Sequence, residues 1–181
     1  MFEPFAPFVP PQFGIKLASE RWERAESAAL RELVFCREQR LFEGSDRDRL
    51  DAVAQTIVAV DYVMGMGHRV VGTVRIHADP AQADTWFGSR LAIAPDYRCV
   101  YGLGRGLVYR AVTTAHARGC RTFLAHVQKQ NVNFFARMAW EPQRELTLHG
   151  RPHVLMRADL AAYPPALDDA AVALVNGRRA S

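Results

Sequence analysis

The chain is poor in cysteine, and its few cysteines do not form a pattern that binds metal. Cys36, Cys99 and Cys120 are an odd number, and no C-x-x-C pair occurs. Neither a disulfide framework nor a cysteine-based zinc site is therefore expected. We expect free thiols, a cytoplasmic protein and no bound metal.

Long apolar runs and runs of lysine are also lacking. No stretch has the length needed to span a membrane. The first residues, MFEPFAPFVPPQFG, have neither the basic start nor the unbroken apolar region of a signal peptide. The net charge of +4 favours an anionic small molecule. Without a patterned basic face it does not indicate a nucleic-acid partner.

The length of 181 residues and the 49% hydrophobic content suit one globular domain. We assign residues 14–160 to that domain and residues 1–13 to an N-terminal arm rich in proline and phenylalanine. Residues 161–181 form a tail in which Pro165 begins a short helix. The arm packs on the domain or on a second copy in a homodimer, or it is a disordered leader.

Apolar periodicity predicts the element order β-α-β-β-β-α-β-α-β-β, which is an α+β fold with helices on the faces of a mixed sheet. Ser19 is the predicted N-cap of the first helix. The predicted strands cover residues 14–19, 56–64, 69–78, 85–95 and 121–127, with two more within 144–160. The predicted helices cover residues 20–42, the stretch after Gly102, and 131–140.

Glycines cluster where the strand at 85–95 leads into a helix, in the stretch RCVYGLGRGLVYRAV. Three of them, Gly102, Gly104 and Gly106, stand in the first turn. The amides of a helix N-terminus bind anions, and glycine lets a phosphate come close to them. The absence of G-x-x-x-x-G-K-[ST] and of G-x-G-x-x-G excludes the P-loop and the dinucleotide-binding turn. The alternative is that the glycines only allow close packing of the helix on a strand.

The segment LAIAPDYRCVYGLGRGLVYRAVTTAHARGC resembles the acyl-CoA-binding core of the GNAT N-acetyltransferases. In that family a strand ends in V-x-P, a turn reads R/Q-x-x-G-x-G/A, and a helix ends in A-x-x-x-G. The following FLAHVQKQNVNFFARMAW resembles the family's next strand and helix. The resemblance covers most of residues 14–160 and is greatest for a bacterial subgroup associated with nitrogen starvation and nitrilase gene clusters. It implies α/β/α layers and a mostly antiparallel mixed sheet whose central strands splay apart.

The resemblance also implies that an acyl-CoA, acetyl-CoA in the simplest case, is the co-substrate. Its pyrophosphate would lie on the glycine turn, and its pantetheine arm would pair with the preceding strand. The implied cofactor-binding residues are Leu91, Ala92, Ile93, Arg98, Tyr101, Gly102, Leu103, Gly104, Arg105, Gly106, Asn131 and Phe135.

The chain departs from the family pattern at three places. Arg98 is one residue further from Gly102 than the motif has it. Phe135 stands where a tyrosine is a common general acid, and the closing G-F is Ala139-Trp140. Cofactor binding is therefore better supported than the usual protonation step.

The chemistry implied by the resemblance is attack of an amine on a thioester carbonyl, which needs a base with a pKa near neutrality. The candidate bases are Glu38, His77 and His126. The backbone amide of Ile93 would polarise the thioester oxygen. Each candidate base also has a structural interpretation, as a charge at a helix end, a strand residue facing solvent, or a hydrogen-bonded sheet histidine.

The segment RELVFCREQRLFEGSDRDRLDA resembles the R-x-x-V-F…E-x-D-x-x-D region of acyl-homoserine-lactone synthases, which share the acetyltransferase fold. There, acidic residues bind the amino group of S-adenosylmethionine. The counterparts in this chain, and the predicted acceptor-binding residues, are Arg31, Phe35, Asp46 and Asp48, with Asp51 as a further counterpart. A solvated charged loop is the alternative.

Three functions follow from the sequence. The first is an acyl-CoA-dependent N-acyltransferase acting on a small amine or an amino-acid-like acceptor, and this is the one we expect. The second is an enzyme similar to acyl-homoserine-lactone synthases. The third is a sensor module that binds CoA without turnover.

Overall fold

One eight-stranded sheet organises the protein, whose computed structural model describes residues 12–165 and 173–176. Its strands are β1 (Gln12–Leu17), β2 (Gln55–Val63), β3 (Met66–Ala78), β4 (Thr85–Ile93), β5 (Thr122–Gln128), β6 (Trp140–Leu148), β7 (Arg151–Ala158) and β8 (Ala173–Asn176). They lie in the order β6-β7-β5-β4-β3-β2-β1-β8, and only the β4–β5 pair is parallel among these strands. The predicted mixed and mostly antiparallel sheet is confirmed.

Helices cover both faces of the sheet. They are α1 (Arg21–Arg31), which continues as a π-helical segment over Glu32–Glu38, α2 (Leu103–Ala117) and α3 (Val132–Ala136). Strand β2 shows how the layers form, because its successive apolar residues point to opposite faces. Ile57 packs in the core under α2, and Val58 packs in the core under α1. Within 12–165 and 173–176, no helix combines the length and the apolar character that crossing a membrane requires.

The start of α1 differs from the prediction by one residue. The N-cap is Glu20 rather than Ser19. The carboxylate of Glu23 accepts hydrogen bonds from the backbone amides of Ser19 and Glu20, at 2.9 and 3.0 Å. A carboxylate in the first turn also complements the positive end of the helix dipole, so Glu23 supplies what the serine was predicted to supply.

The two central strands separate part-way along their length. β4 and β5 pair only over Thr85–Gly88 and Thr122–Ala125. Beyond that point β4 stays with β3 as far as Ile93, while β5 stays with β7 as far as Gln128. A gap therefore opens between the carboxyl ends of β4 and β5, as predicted. We call this gap the fork.

The ends of the chain extend the sheet further than the predicted boundaries. β1 begins at Gln12, inside the predicted arm, whose residues 1–11 lie outside the described part. The predicted tail helix is wrong at Ala173–Asn176, which form β8 and pair with β1. A strand at this place covers the edge that β1 would otherwise expose. The rest of the predicted tail helix lies outside the described residues.

Candidate functional site

The fork holds a cavity of about 230 Å³ that reaches both faces of the sheet. Its walls come from the π-helical segment, the loop after it, the strands of the fork, α2, and the turn between β6 and β7. The side chains that line it include Phe35, Gln39, Phe42, Arg90, Leu91, Val108, Ala111, Phe123, His126, Gln128, Asn131, Phe135, Trp140, His149 and His153. A cleft between two elements that cannot pair is a common place for a small-molecule site.

The glycine turn lies beside the fork and begins α2. Gly102 is the N-cap with a φ of +86°, a conformation that favours glycine. The amide of Gly106 donates to the carbonyl of Gly102 at 2.8 Å, which is the first hydrogen bond of the helical pattern. The amides of Gly104 and Arg105 precede it and have no carbonyl partner within the helix. Unpaired amides at a helix N-terminus are suited to an anion, and we call this part of the helix the anion-binding end of α2.

The edge of β4 presents backbone groups to the fork. The amide of Ala94 donates to the carbonyl of Val71 at 2.8 Å, which makes these two residues a hydrogen-bonded pair of the antiparallel ladder. Since such pairs alternate, Ile93 opposite Gly72 turns its N–H and C=O away from β3 and towards the fork. Ala92 opposite Thr73 turns its backbone groups to β3, so it is the least suited of the predicted pantetheine partners.

Arg98 and Glu38 bind each other across the mouth of the site. Both guanidinium NH₂ groups of Arg98 donate to the Glu38 carboxylate at 2.7 Å, and its Nε donates to the carbonyl of Ile93 at 3.3 Å. The hydrogen bonds from Arg98 lower the pKa of Glu38 below its ordinary value. A carboxylate held this way is a weak base, and an arginine held this way is not aimed at a phosphate. The structure thus pairs these two residues with each other, and their predicted roles as phosphate ligand and base stay predictions.

We expect Glu38→Gln to change kcat by less than about threefold, because a group with a lowered pKa contributes little as a general base. The amide keeps the length of the side chain and removes its charge. A steady-state measurement at saturating acyl-CoA and amine checks this. A loss of a hundredfold or more would return Glu38 to the list of bases.

The two candidate histidines stack on the two sides of Phe87. His77 and His126 each lie 5.9 Å from the Phe87 ring, with interplanar angles of 19° and 16°. His77 Nδ1 bonds to the carbonyl of Ala78 at 3.1 Å, and its side chain is buried away from the cavity lining. His126 follows Ala125, the last β5 residue that pairs with β4, and it lines the cavity.

The pKa of His126 lies below its ordinary value, first because of burial and then because of the nearby His153 and Arg144. A lowered pKa keeps the imidazole neutral at physiological pH, which is the form that accepts a proton. Among the three predicted bases, His126 is therefore the one that the geometry supports.

The sequence analysis missed two more histidines of the cavity. His149 lies in the β6–β7 turn with a φ of +50°, and its ring packs 4.6 Å from that of Phe42. His153 is buried on β7, and its Nδ1 donates to the carbonyl of Arg151 at 2.9 Å. The four-residue spacing between His149 and His153 was the feature of the sequence that could have indicated them as a pair. Among the described residues, no group of three or more His, Cys, Asp or Glu could hold a metal ion.

The predicted acceptor-binding carboxylates already have partners. Asp46, Asp48 and Asp51 bind Arg31, Arg75 and Arg90, three charges of each sign. The hydrogen bonds within this arginine–aspartate network measure 2.7 to 3.5 Å. Burial would raise the pKa of Asp51, but the hydrogen bonds from Arg31, the Asp48 backbone and Arg75 outweigh it and the net pKa is lowered. The aspartates thus act as structural anions rather than as a free acidic cluster.

We expect Asp46→Asn to lower the free energy of unfolding by about 3 kcal/mol, since a buried ion pair that loses one partner leaves an uncompensated charge. Asp46 is 3% exposed, and its Oδ2 accepts from the Nε of both Arg31 and Arg90, at 2.7 and 2.8 Å. The matched control is Glu145→Gln, which breaks an exposed pair with Lys129 at 3.1 Å and should cost under about 1 kcal/mol. Urea unfolding measures both, and equal effects would contradict the buried role.

The remaining predicted cofactor residues lie at the cavity or at the glycine turn. Asn131 and Phe135 line the cavity, and the Phe135 ring lies 5.1 Å from that of Trp140. Phe135 thus places a hydrocarbon ring in the cavity wall, at the position where the resembled family commonly has a tyrosine hydroxyl. Tyr101 is 74% exposed at the glycine turn. The side chain of Leu103 is buried in the core under α2, so only its backbone faces the turn.

Comparison with known proteins agrees with this geometry. A profile described as the Acetyltransferase (GNAT) family matches residues 17–140. The chain belongs to the GNAT acetyltransferase family. A search of curated proteins finds no match.

Solved structures show the GNAT fold at low sequence identity. Escherichia coli ElaA has a TM-score of 0.67 at 17% identity, over 82% of this chain and 99% of that chain. An acyl-CoA N-acyltransferase from Pseudomonas aeruginosa has a TM-score of 0.66 at 19% identity, with the same coverage. FeeM, an N-acyl amino acid synthase from uncultured soil microbes, has a TM-score of 0.65 at 11% identity, over 84% and 93%. The GNAT resemblance is confirmed, and the nitrogen-starvation subgroup stays a prediction.

Proposed function

We propose that this GNAT protein is an acyl-CoA-dependent N-acyltransferase that acylates a small amine or amino-acid-like acceptor. One observation carries the proposal: the fork, the anion-binding end of α2 and the cavity lie side by side. An acyl-CoA is long, with an anionic pyrophosphate at one end and a thioester at the other. Such a molecule needs an anion site for the pyrophosphate, an open strand edge for the arm, and a cavity for the acyl group and the acceptor.

The residues of the chain suit the two ends of that ligand. The amides of Gly104 and Arg105 would bind the pyrophosphate. Leu91 lines the cavity, and the backbone N–H and C=O of Ile93 face the fork, where they would pair with the amides of the pantetheine arm. Asn131, at the entrance, would hydrogen-bond the same arm. The Ile93 carbonyl now accepts from Arg98, so ligand binding would replace that contact.

The transfer step needs one proton acceptor on the chain. The acceptor amine attacks the thioester carbonyl, a C–N bond forms and the C–S bond breaks. His126 takes the proton from the amine nitrogen at its unprotonated ring nitrogen. The CoA sulfur leaves with the electron pair and takes a proton from solvent, since Phe135 supplies none.

A two-part experiment tests the proposal. Isothermal titration calorimetry measures binding of acetyl-CoA and free CoA, and a thiol-release assay measures turnover on a panel of amines and amino acids. We expect binding of both and thiol release that depends on an amine. Binding without thiol release on any acceptor would favour the sensor module, and no binding of either would overturn the proposal.

A synthase of the acyl-homoserine-lactone type is the second candidate, and it is favoured by Phe35. This residue, one counterpart of the synthase motif, lines the cavity together with Arg90 of the arginine–aspartate network. Adding S-adenosylmethionine to the amine panel separates the two candidates. Thiol release with S-adenosylmethionine and with none of the simple amines would favour the synthase.

A further inference from the structure

The cavity in the fork has two halves of different chemistry. On the face covered by α1 its lining combines the apolar Phe35, Leu41 and Phe42 with seven polar side chains, namely Gln39, Ser89, Arg90, His126, Gln128, His149 and His153. On the face covered by α2 it is apolar and includes Val74, Val108, Ala111, Phe123, Phe135 and Trp140. The fork connects the halves. A thioester in the fork thus has a polar space on one side for an amine and an apolar space on the other.

The cavity as a whole is larger than an acetyl group needs. An acetyl group has three non-hydrogen atoms, and one water occupies about 30 Å³ in the liquid. At that size the acetyl group fills well under half of the 230 Å³ cavity. A methylene is similar in size to a water, so the whole volume holds at most about eight of them.

Two small residues, Gly88 and Ala111, line the cavity where the apolar half begins. A Cβ on Gly88 would lie 3.0 Å from Cε1 and 3.2 Å from Cζ of Phe123, closer than side chains normally approach. Gly88 is the last β4 residue that pairs with β5, so a side chain there would stand at the apex of the fork. On α2, Ala111 presents only a methyl group to the same space.

We infer that the apolar half binds the tail of an acyl group longer than acetyl, of about four to six carbons, and that the enzyme prefers such a donor to acetyl-CoA. The inference rests on the proposed function, because it adds the acyl chain to the same transfer step. The amine nitrogen bonds to C1 of the chain, the C1–S bond breaks, and His126 takes the proton of the amine. The tail stays in the apolar half throughout.

A series of acyl-CoA thioesters tests this with the wild-type protein. We expect kcat/KM for acetyl-, butyryl-, hexanoyl- and octanoyl-CoA to rise about fourfold per added methylene until the space is full. The gain from acetyl to hexanoyl should reach at least about tenfold. If no amine is acylated, the affinities of the same series, measured as Kd with free CoA as reference, must rise in the same way.

A flat series, or one in which acetyl-CoA is best, would overturn the inference and leave the proposed function intact. Failure of every thioester and of free CoA to bind would instead overturn the proposed function.

Matched variants on α2 test where the acyl chain lies in the cavity. Val108 lines the cavity, whereas Val112 is equally buried in the same helix and does not. Val108→Ala should move the preferred chain one to two carbons longer, and Val112→Ala should leave the preference unchanged. Ala111→Leu should lower kcat/KM for hexanoyl-CoA about tenfold while acetyl-CoA changes less than threefold. The same chain preference in the wild type, Val108→Ala and Ala111→Leu would overturn the placement.

Discussion

Gly104→Glu will weaken acyl-CoA binding by at least about a hundredfold and leave the protein folded. The new carboxylate would stand in the first turn of α2, where the amides of Gly104 and Arg105 are proposed to bind a pyrophosphate. Juxtaposed like charges cost several kcal/mol, and each 1.4 kcal/mol is a factor of ten. The helix itself tolerates the change, since acidic residues favour the first turn. Isothermal titration calorimetry gives the affinity, and circular dichroism gives the melting temperature.

Two further variants separate the effects of charge, packing and binding. Gln143→Glu, on the exposed strand β6, adds the same charge far from α2 and should leave the affinity unchanged. Gly104→Ala gains up to about 1 kcal/mol of helix propensity, and its Cβ would lie 3.3 Å from Ile93 Cδ1. We expect this variant to be folded and to bind less tightly. If it lost stability and kept full affinity, the glycine would serve packing alone, and retained affinity in Gly104→Glu would refute the phosphate site.

His126→Ala will lower kcat by about a hundredfold to a thousandfold, the range for loss of a general base, with little change in the Kd of acyl-CoA. His126 lies at the apex of the fork and lines the cavity, and its lowered pKa keeps it neutral. Removing the imidazole leaves the binding amides of α2 and the backbone of Ile93 unchanged. Presteady-state thiol release and calorimetry measure the two quantities separately.

The control lies on the other side of the same aromatic ring. His77 stacks on Phe87 at the same 5.9 Å but does not line the cavity, so His77→Ala should change kcat less than about threefold. The pH profile adds a second readout. His153 is one cause of the lowered pKa of His126, so His153→Ala should raise that pKa and move the acidic fall in kcat to higher pH. Equal losses in His77→Ala and His126→Ala would remove His126 as the base.

The sequence predicts the parts of this site that are contiguous in the chain. The glycine turn and the strand before it lie within 85–106, and local periodicity with helix N-terminal chemistry is enough to place them. The fork was implied by the family resemblance, and the structure confirms it because the β4–β5 pairing stops at Gly88. The glycine turn depends on neighbouring residues, which is why a sequence pattern can carry it, whereas the fork lies between strands that are distant in the chain and was available only from the resemblance.

The parts that sequence analysis missed depend on residues far apart. Glu38 and Arg98 are sixty positions apart, and only the folded chain shows that they form a pair. The sequence predicted that the aspartates after α1 form a solvated loop or bind an amine. It could not show their partners, because Arg75 and Arg90 come from two other strands. The tail shows the same limit. Its composition favours a helix, but the open edge of β1 makes a strand of Ala173–Asn176.

A crystal structure with bound CoA tests the central claim most directly, namely that an acyl-CoA lies along α2 and enters the fork. We predict a pyrophosphate within hydrogen-bond distance of the amides of Gly104 and Arg105. The pantetheine arm should pair with the backbone of Ile93, and the sulfur should lie between β4 and β5 next to His126. CoA bound elsewhere on the protein, with the fork free of it, would contradict the account.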